Sequence, residues 1–494
     1  MATQKGPVTE INTAAGHEVE NPKRVRSLRR LFQWHEPGTS KEEKWLIFKL
    51  DFFILLYTCL TFFVKYLDQT NVTNAYVSGM KEDLNLLGNE LKWFTTYFNI
   101  GIIIGGPFFT MALTSIHPRY WLPACTLCWS LFVLFMYKAQ TAKTIYILRF
   151  FAGIFESGAM PGAFYIIGSF YRSSEISRRS TIFMFSGAGG QMFSGYIQAG
   201  LYKNMNHTFG LASWRWLFIF DFLIGIPVAV FGFICCPNEP KSTKPWWMTE
   251  NEREIAIERI AQEDRDAMTI TWNLSAVKRI LTSWQLWAFC VAWGTMQCTC
   301  GANLQRWMTL YLKSVKIDGH AKYSIEEINA LPTAVGCVEI VWMILSALVM
   351  DKTRNPPLVI LALGLVQLFA YIIFYVWPAN AHFIMAVYYI CSAYGAIPGL
   401  ISAWLNSCCG GDKQLRALST SLMISVGYAV ETVSQQFMFP TSEAPRFQRT
   451  KGYAFGIAWI CAMILWFCVC LPFIERYFRR RTRCFPADTC YVTG

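Results

Sequence analysis

RWLFIFDFLIGIPVAVFGFICC (215–236) is an apolar block that gives way at Pro237 to a polar stretch containing WWMTENEREIAIERIAQEDRD (246–266). About 20 mostly apolar residues are enough to cross a bilayer as a helix. The stretch behind the block has helical amphipathicity and mixed charge, and so belongs in water beside the membrane. Five more apolar segments precede this boundary, at 45–66, 93–114, 120–138, 143–168 and 180–202. Six follow it, at 284–306, 328–350, 357–377, 381–405, 416–438 and 453–475. Six segments on either side of one charged linker is the layout of a two-bundle secondary transporter. The expected fold is an all-α membrane protein with twelve transmembrane helices in two six-helix bundles. The expected divisions are a cytosolic tail (1–44), a first bundle (45–237), a linker with an amphipathic helix (238–281), a second bundle (282–477) and a basic tail (478–494).

Composition agrees with that class. The 494 residues are 54% hydrophobic and 15% charged, against about 25% charged in soluble domains. The 17 cysteines fall largely in apolar runs such as Cys235-Cys236 and Cys468 to Cys470, where cysteine acts as a small hydrophobe. Cys298-Thr-Cys300 lacks the second pair or histidines of a zinc site, and no cofactor is expected. The net charge of +12 sits at the ends of apolar segments, so it marks orientation and not nucleic-acid binding. Lysine and arginine concentrate in the N-terminal tail, in the linker and at Arg476 to Arg483. With an even number of spans all three lie on one side, which the positive-inside rule makes cytosolic. Of the sequons, Asn206-His-Thr falls in an outer loop and is the expected glycosylation site, whereas Asn273-Leu-Ser is cytosolic. Neither a metalloprotease helix nor a nucleophile elbow is present, so no enzyme is expected.

Six stretches carry a family resemblance: LDQTNVTNAYVSGMKEDLNLLGNE (67–90), LRFFAGIFESGAMPG (148–162), SFYRSSEISRRS (169–180), SWRWLFIFD (213–221), MTENEREIAIERI (248–260) and APRFQRTKGYAFG (444–456). They resemble the fungal allantoate permease family, anion:cation symporters of the major facilitator superfamily, and look most like its pantothenate and vitamin permeases. The resemblance implies proton-coupled import of a small organic anion. It also implies two bundles that rock about a central site lined by the first, fourth, seventh and tenth helices. There are departures. GGPFFTMALTSIHPRYW (105–121) replaces the usual loop motif after the second helix, Asp68-Gln69 stands where relatives carry Asp-Arg, and FSGAGGQMFSG (185–195) replaces the antiporter signature of the fifth helix.

Charges inside apolar segments cost about 2.5–3.5 kcal/mol each to insert, so they face the protein interior or a wet cavity. Arg149 and Glu156 lie seven residues apart, on one helical face and about 10 Å apart along the axis, too far to pair with each other. Arg149 has a fork that matches a carboxylate and is the candidate anion clamp; the alternative is a structural anchor. Glu156, held away from water, is the candidate proton carrier, an assignment the resemblance supports. Asp68 is expected near the end of the first helix, as a second proton site or a solvated cap, with Lys65 snorkelling to the interface beside it. Asn303, Gln305, Trp404 and Asn406 are candidate substrate contacts, or else interhelical hydrogen-bonding groups. Glu339 and Glu431 fall in the eighth and eleventh helices, outside the usual cavity walls. Pro161 is expected to kink the fourth helix beside Glu156. The expected protein is a monomeric plasma-membrane symporter of a small organic anion and a proton, surrounded by the lipid bilayer. An exporter of a secondary metabolite and a non-transporting nutrient sensor are the alternatives.

Overall fold

The computed structural model describes residues 39–484 except 87, 239–243, 262–272, 300, 319, 379 and 410–411. Most of the expected N-terminal tail, the middle of the linker and the tail from 485 onward lie outside the described residues.

Among the described residues the helices group into twelve long segments. The first six are Lys41–Asp83, Glu90–Ser115, Pro118–Lys138, Ala142–Phe170, Ser173–Met205 and Ser213–Cys235. The seventh is built from Trp284–Cys298 and Leu304–Ser314, and the eighth from Ile325–Ala330 and Thr333–Thr353. Pro356–Val376, Ala381–Cys409, Lys413–Met438 and Gly452–Phe478 complete the set. A short antiparallel pairing of Lys316–Ile317 with His320–Ala321 follows the seventh helix. Local sequence sets the starts: Thr141, Ser283, Asn380 and Asp412 accept from first-turn amides, and Pro118 opens the third helix where its missing N–H costs nothing. Nine of these segments are long and apolar enough to span a membrane. The fifth and eleventh fall short because they turn polar residues, among them Gln191 and Glu431, toward an internal cavity, and the seventh because neither of its pieces, Trp284–Cys298 and Leu304–Ser314, is long enough to cross.

The first helix corrects an expected boundary. It does not end near residue 66 but runs on to Asp83, past a glycine at φ +114°, Gly79. Asp68 therefore lies mid-helix, 1% exposed, and Lys65 is buried too, so neither caps nor snorkels.

Close packing holds the first bundle together. A methyl on Gly153 of the fourth helix would overlap the Phe98 carbonyl oxygen of the second helix, and a methyl on Gly101 would overlap the Phe150 carbonyl. Gly153→Ala is expected to lower the melting temperature of the purified protein by several degrees, since overpacking costs about 1–3 kcal/mol. An unchanged melt would show that the two helices part cheaply.

The linker helix Glu250–Ala261 is fastened to the first bundle. Lys49 pairs with Glu252 at 2.8 Å, and Arg259 reaches Glu43 at 2.8 Å and Glu175 at 2.5 Å. Trp247 stacks on Phe53 with centroids 4.7 Å apart and donates to the Cys235 carbonyl. Partial burial opposes ionisation of Glu252, but the Lys49 ammonium and the Thr249 amide outweigh it and hold the carboxyl below its ordinary value. The side carrying this helix is the linker face. On the opposite face the two bundles are tied together. Lys92 donates to the Gln436 carbonyl (2.7 Å), Asn99 to Thr432 (2.9 Å), Asn329 to Ser78 (3.0 Å), and Lys313 pairs with Glu82 (3.2 Å).

Candidate functional site

Between the bundles lies a cavity of about 1300 Å³. It reaches from Thr73 and Asn74, beneath the ties of the opposite face, to His117, Asn238 and Ala261 at the linker face.

Its charged wall is made by the first and fourth helices, which run antiparallel. Lys65, Asp68 and Gln69 share one face of the first helix through i, i+3 and i+4 spacing. Arg149 Nη1 donates to Asp68 Oδ1 at 3.2 Å, and the guanidinium carbon stands 4.2 Å from the Phe98 ring centre. Two turns along the fourth helix, Glu156 Oε1 accepts from Gln69 Nε2 at 2.7 Å and lies 4.0 Å from Lys65 Nζ. Arg149 and Glu156 thus each meet the first helix and not one another. The fourth helix breaks directly after Glu156, at Ser157-Gly158, between Ala142–Glu156 and Ala159–Phe170. Pro161 has no N–H to offer the Ser157 carbonyl, which is the physical cause of the break. Behind this wall Asn71 donates to Asp221 (2.8 Å) and accepts from Ser194 (2.6 Å), and Ser194 also accepts from Asn74 (2.7 Å). Asn71 is fully buried, so the sequon Asn71-Val-Thr is inaccessible.

These side chains are satisfied on one edge only. Arg149 Nε, Asp68 Oδ2, Glu156 Oε2 and Asp221 Oδ1 are buried without a protein hydrogen-bond partner. A buried carboxylate oxygen without a donor is costly, and a proton on it removes that cost. Each acid therefore has one oxygen fixed by a neighbour and one able to hold a proton.

The second bundle contributes Glu431, whose carboxylate is filled: Gln297 donates to Oε2 (2.8 Å), and Asn303 (2.9 Å) and Gln435 (2.8 Å) donate to Oε1. Tyr394 in turn donates to Gln297 Oε1. Asn303, Gln305 and Asn406 all line the cavity, Gln305 donating to the Gln191 carbonyl (3.3 Å) across the two bundles. Trp404 does not: its indole points away and donates to Glu475 of the twelfth helix at 3.0 Å, which corrects its candidacy as a substrate contact. Glu339 and Glu431 line the cavity, contrary to the expectation from helix order. Sequence reading also missed Arg306 of the seventh helix, which lines the cavity and donates to Thr73 at 3.3 Å. Nothing in the local pattern marks Arg306, whereas the spacing of Lys65, Asp68 and Gln69 was a usable signal.

Two six-helix halves around a cavity that holds charged and polar side chains and reaches one membrane face define a solute carrier. The model of the Major Facilitator Superfamily matches residues 58–430, and the chain belongs to that superfamily. It is a multi-pass membrane transporter of small molecules and not an enzyme. "MFS transporter PfmaC" of Pestalotiopsis fici is 48% identical, over 92% of this chain and 84% of that protein. "Pantothenate transporter FEN2" of Saccharomyces cerevisiae is 34% identical, over 83% of this chain and 80% of its own. Among solved structures, a D-xylose-proton symporter superposes with a TM-score of 0.63 at 13% identity, covering 84% of this chain and 97% of that one; the likeness is one of fold.

Proposed function

We propose that the chain imports a small organic anion, pantothenate or a similar vitamin carboxylate, across the plasma membrane together with a proton. The single observation that carries this reading is the wall of paired charges, Arg149 with Asp68 and Glu156 with Lys65 and Gln69, in which each acid keeps one oxygen without a donor. The pantothenate transporter among its relatives supports the same class.

The steps follow from the charges. A proton arriving at Asp68 weakens its hold on Arg149, whose fork then receives the substrate carboxylate. That one proton comes to rest on Glu156, where it offsets the charge the anion would otherwise carry through the low-dielectric centre. With anion and proton both aboard, the wall gains no net charge, so the bundles can rock about the site. Asn303, Gln305 and Asn406 offer neutral contacts along the path. The positive-inside rule makes the linker face cytosolic, so the cavity as described faces inward and the ties Lys92–Gln436 and Lys313–Glu82 form the outer closure. Asn206, half-buried on the opposite face with Oδ1 accepting from the Ser213 amide, is then the external sequon available for glycosylation.

The test is uptake of radiolabelled vitamin carboxylates and ureide anions into cells that lack their own vitamin permeases, at acid and neutral pH. Accumulation above equilibrium at acid pH, collapsed by a protonophore, is expected for at least one of them. If none accumulates at any pH, the reading is wrong.

A further inference from the structure

Glu339 is a cavity carboxyl that the proposed cycle leaves unused. It lies on the eighth helix, lines the cavity, and among the described residues has no hydrogen bond or ion pair. The other wall carboxyls contrast with it: Glu431 takes three amide donors, and Asp68 and Glu156 each take one donor from a neighbour. The carboxyl of Glu339 rests against the tenth helix where that helix tightens into a single 3₁₀ stretch, Ser392–Ala396. Gly395 makes room for it, since a methyl there would overlap the Glu339 carboxyl. A 3₁₀ stretch inside a longer helix is a common mark of a functional position. Across the cavity, Tyr66 of the first helix lies within electrostatic reach of Glu339, Glu431 and Glu156 together, so the lone acid faces the same space as the charged wall.

An acceptor with no donor on the wall of an anion's cavity is costly to leave unmet. It favours an anion that carries a donor at its far end. We propose that Glu339, seated on Gly395, is a second subsite that accepts a hydroxyl or amide N–H of the transported molecule while the Arg149 wall holds its carboxylate. The substrate class is thereby narrowed from small organic anions to carboxylates bearing a hydrogen-bond donor several bonds away. This inference rests on the anion reading of the site.

The probes are ω-hydroxy carboxylates of four to eight carbons and the plain alkanoates of equal length. Each is measured by thermal stabilisation of the purified full-length protein. At one or more chain lengths the wild type is expected to bind the hydroxy acid about tenfold more tightly, the effect of one well-made hydrogen bond. In Glu339→Met, which keeps the length of the side chain without an acceptor, the pair should bind alike to within about twofold. Gly395→Ala, which displaces the carboxyl without removing it, should narrow the preference in the same direction and serves if Glu339→Met fails to fold. A preference that survives both substitutions, or that is absent from the wild type at every length, overturns the subsite while leaving the anion reading standing. An unaltered preference with altered pH dependence of uptake in Glu339→Met also overturns it, and makes Glu339 a proton site. If no carboxylate of either kind binds the wild type, the anion reading falls and the subsite with it.

Discussion

Glu156→Gln is expected to abolish pH-driven accumulation while counterflow exchange of the labelled anion continues within about threefold of wild type, a difference of less than 1 kcal/mol. Glutamine keeps the shape of the side chain and can still bond Gln69, which approaches Glu156 Oε1 at 2.7 Å. It removes only the capacity to carry a proton across. Lys65, now 4.0 Å from a neutral amide, loses its counter-charge, and removing one member of a buried pair costs about 3–5 kcal/mol. A lower melting temperature should therefore accompany the transport phenotype, and melting must be recorded beside uptake. Should accumulation at acid pH persist in a folded Glu156→Gln protein, the proton travels elsewhere, and Asp68 becomes the acid to substitute next.

The second large effect falls on Arg149. Arg149→Lys is expected to weaken anion binding by about 100-fold, although the positive charge is retained. The guanidinium now engages Asp68 through Nη1, lies over the Phe98 ring, and keeps Nε without a partner. An ammonium is a point charge that cannot serve Asp68 and a carboxylate in one planar geometry. Affinity should be read by stabilisation of the purified protein, because uptake alone mixes binding with turnover. Binding at wild-type strength in the lysine variant would reduce Arg149 to a structural partner of Asp68, and Arg306 would become the leading cation for the substrate.

The twelve segments were legible because apolar length is a strong signal and because the charged linker divides the chain evenly. What misled was polarity within a span. The run Lys65 to Asn74 reads as the end of a helix when each side chain is weighed against lipid. In the folded protein those side chains face the fourth, fifth and sixth helices: Asp68 meets Arg149, Asn74 meets Ser194 and Asn71 meets Asp221. Their polarity is matched inside the bundle, so the helix continues to Asp83. The same limit explains Trp404 and Glu339. Helical periodicity tells which residues share a face, but which face looks into the cavity depends on neighbours far away in the chain. Arg149 and Glu156 could be picked out because their spacing is local; their partners Asp68 and Gln69 could be aligned with each other, yet only packing shows which of them each charge meets.

The polar faces of the fifth, seventh and eleventh helices bear on how the chain enters the membrane in the first place. A segment too polar to leave the translocon for lipid by itself must be received by spans already made. For Ser173–Met205 that host is the first helix, to which Gly190 packs closely against the Phe63 carbonyl. For Lys413–Met438 the hosts are the second and seventh helices, whose Asn99 and Gln297 bond Thr432 and Glu431. The residues that line the carrier's interior therefore also tie the order of synthesis to the order of assembly: the fifth and eleventh helices each emerge after a helix able to shelter their polar side.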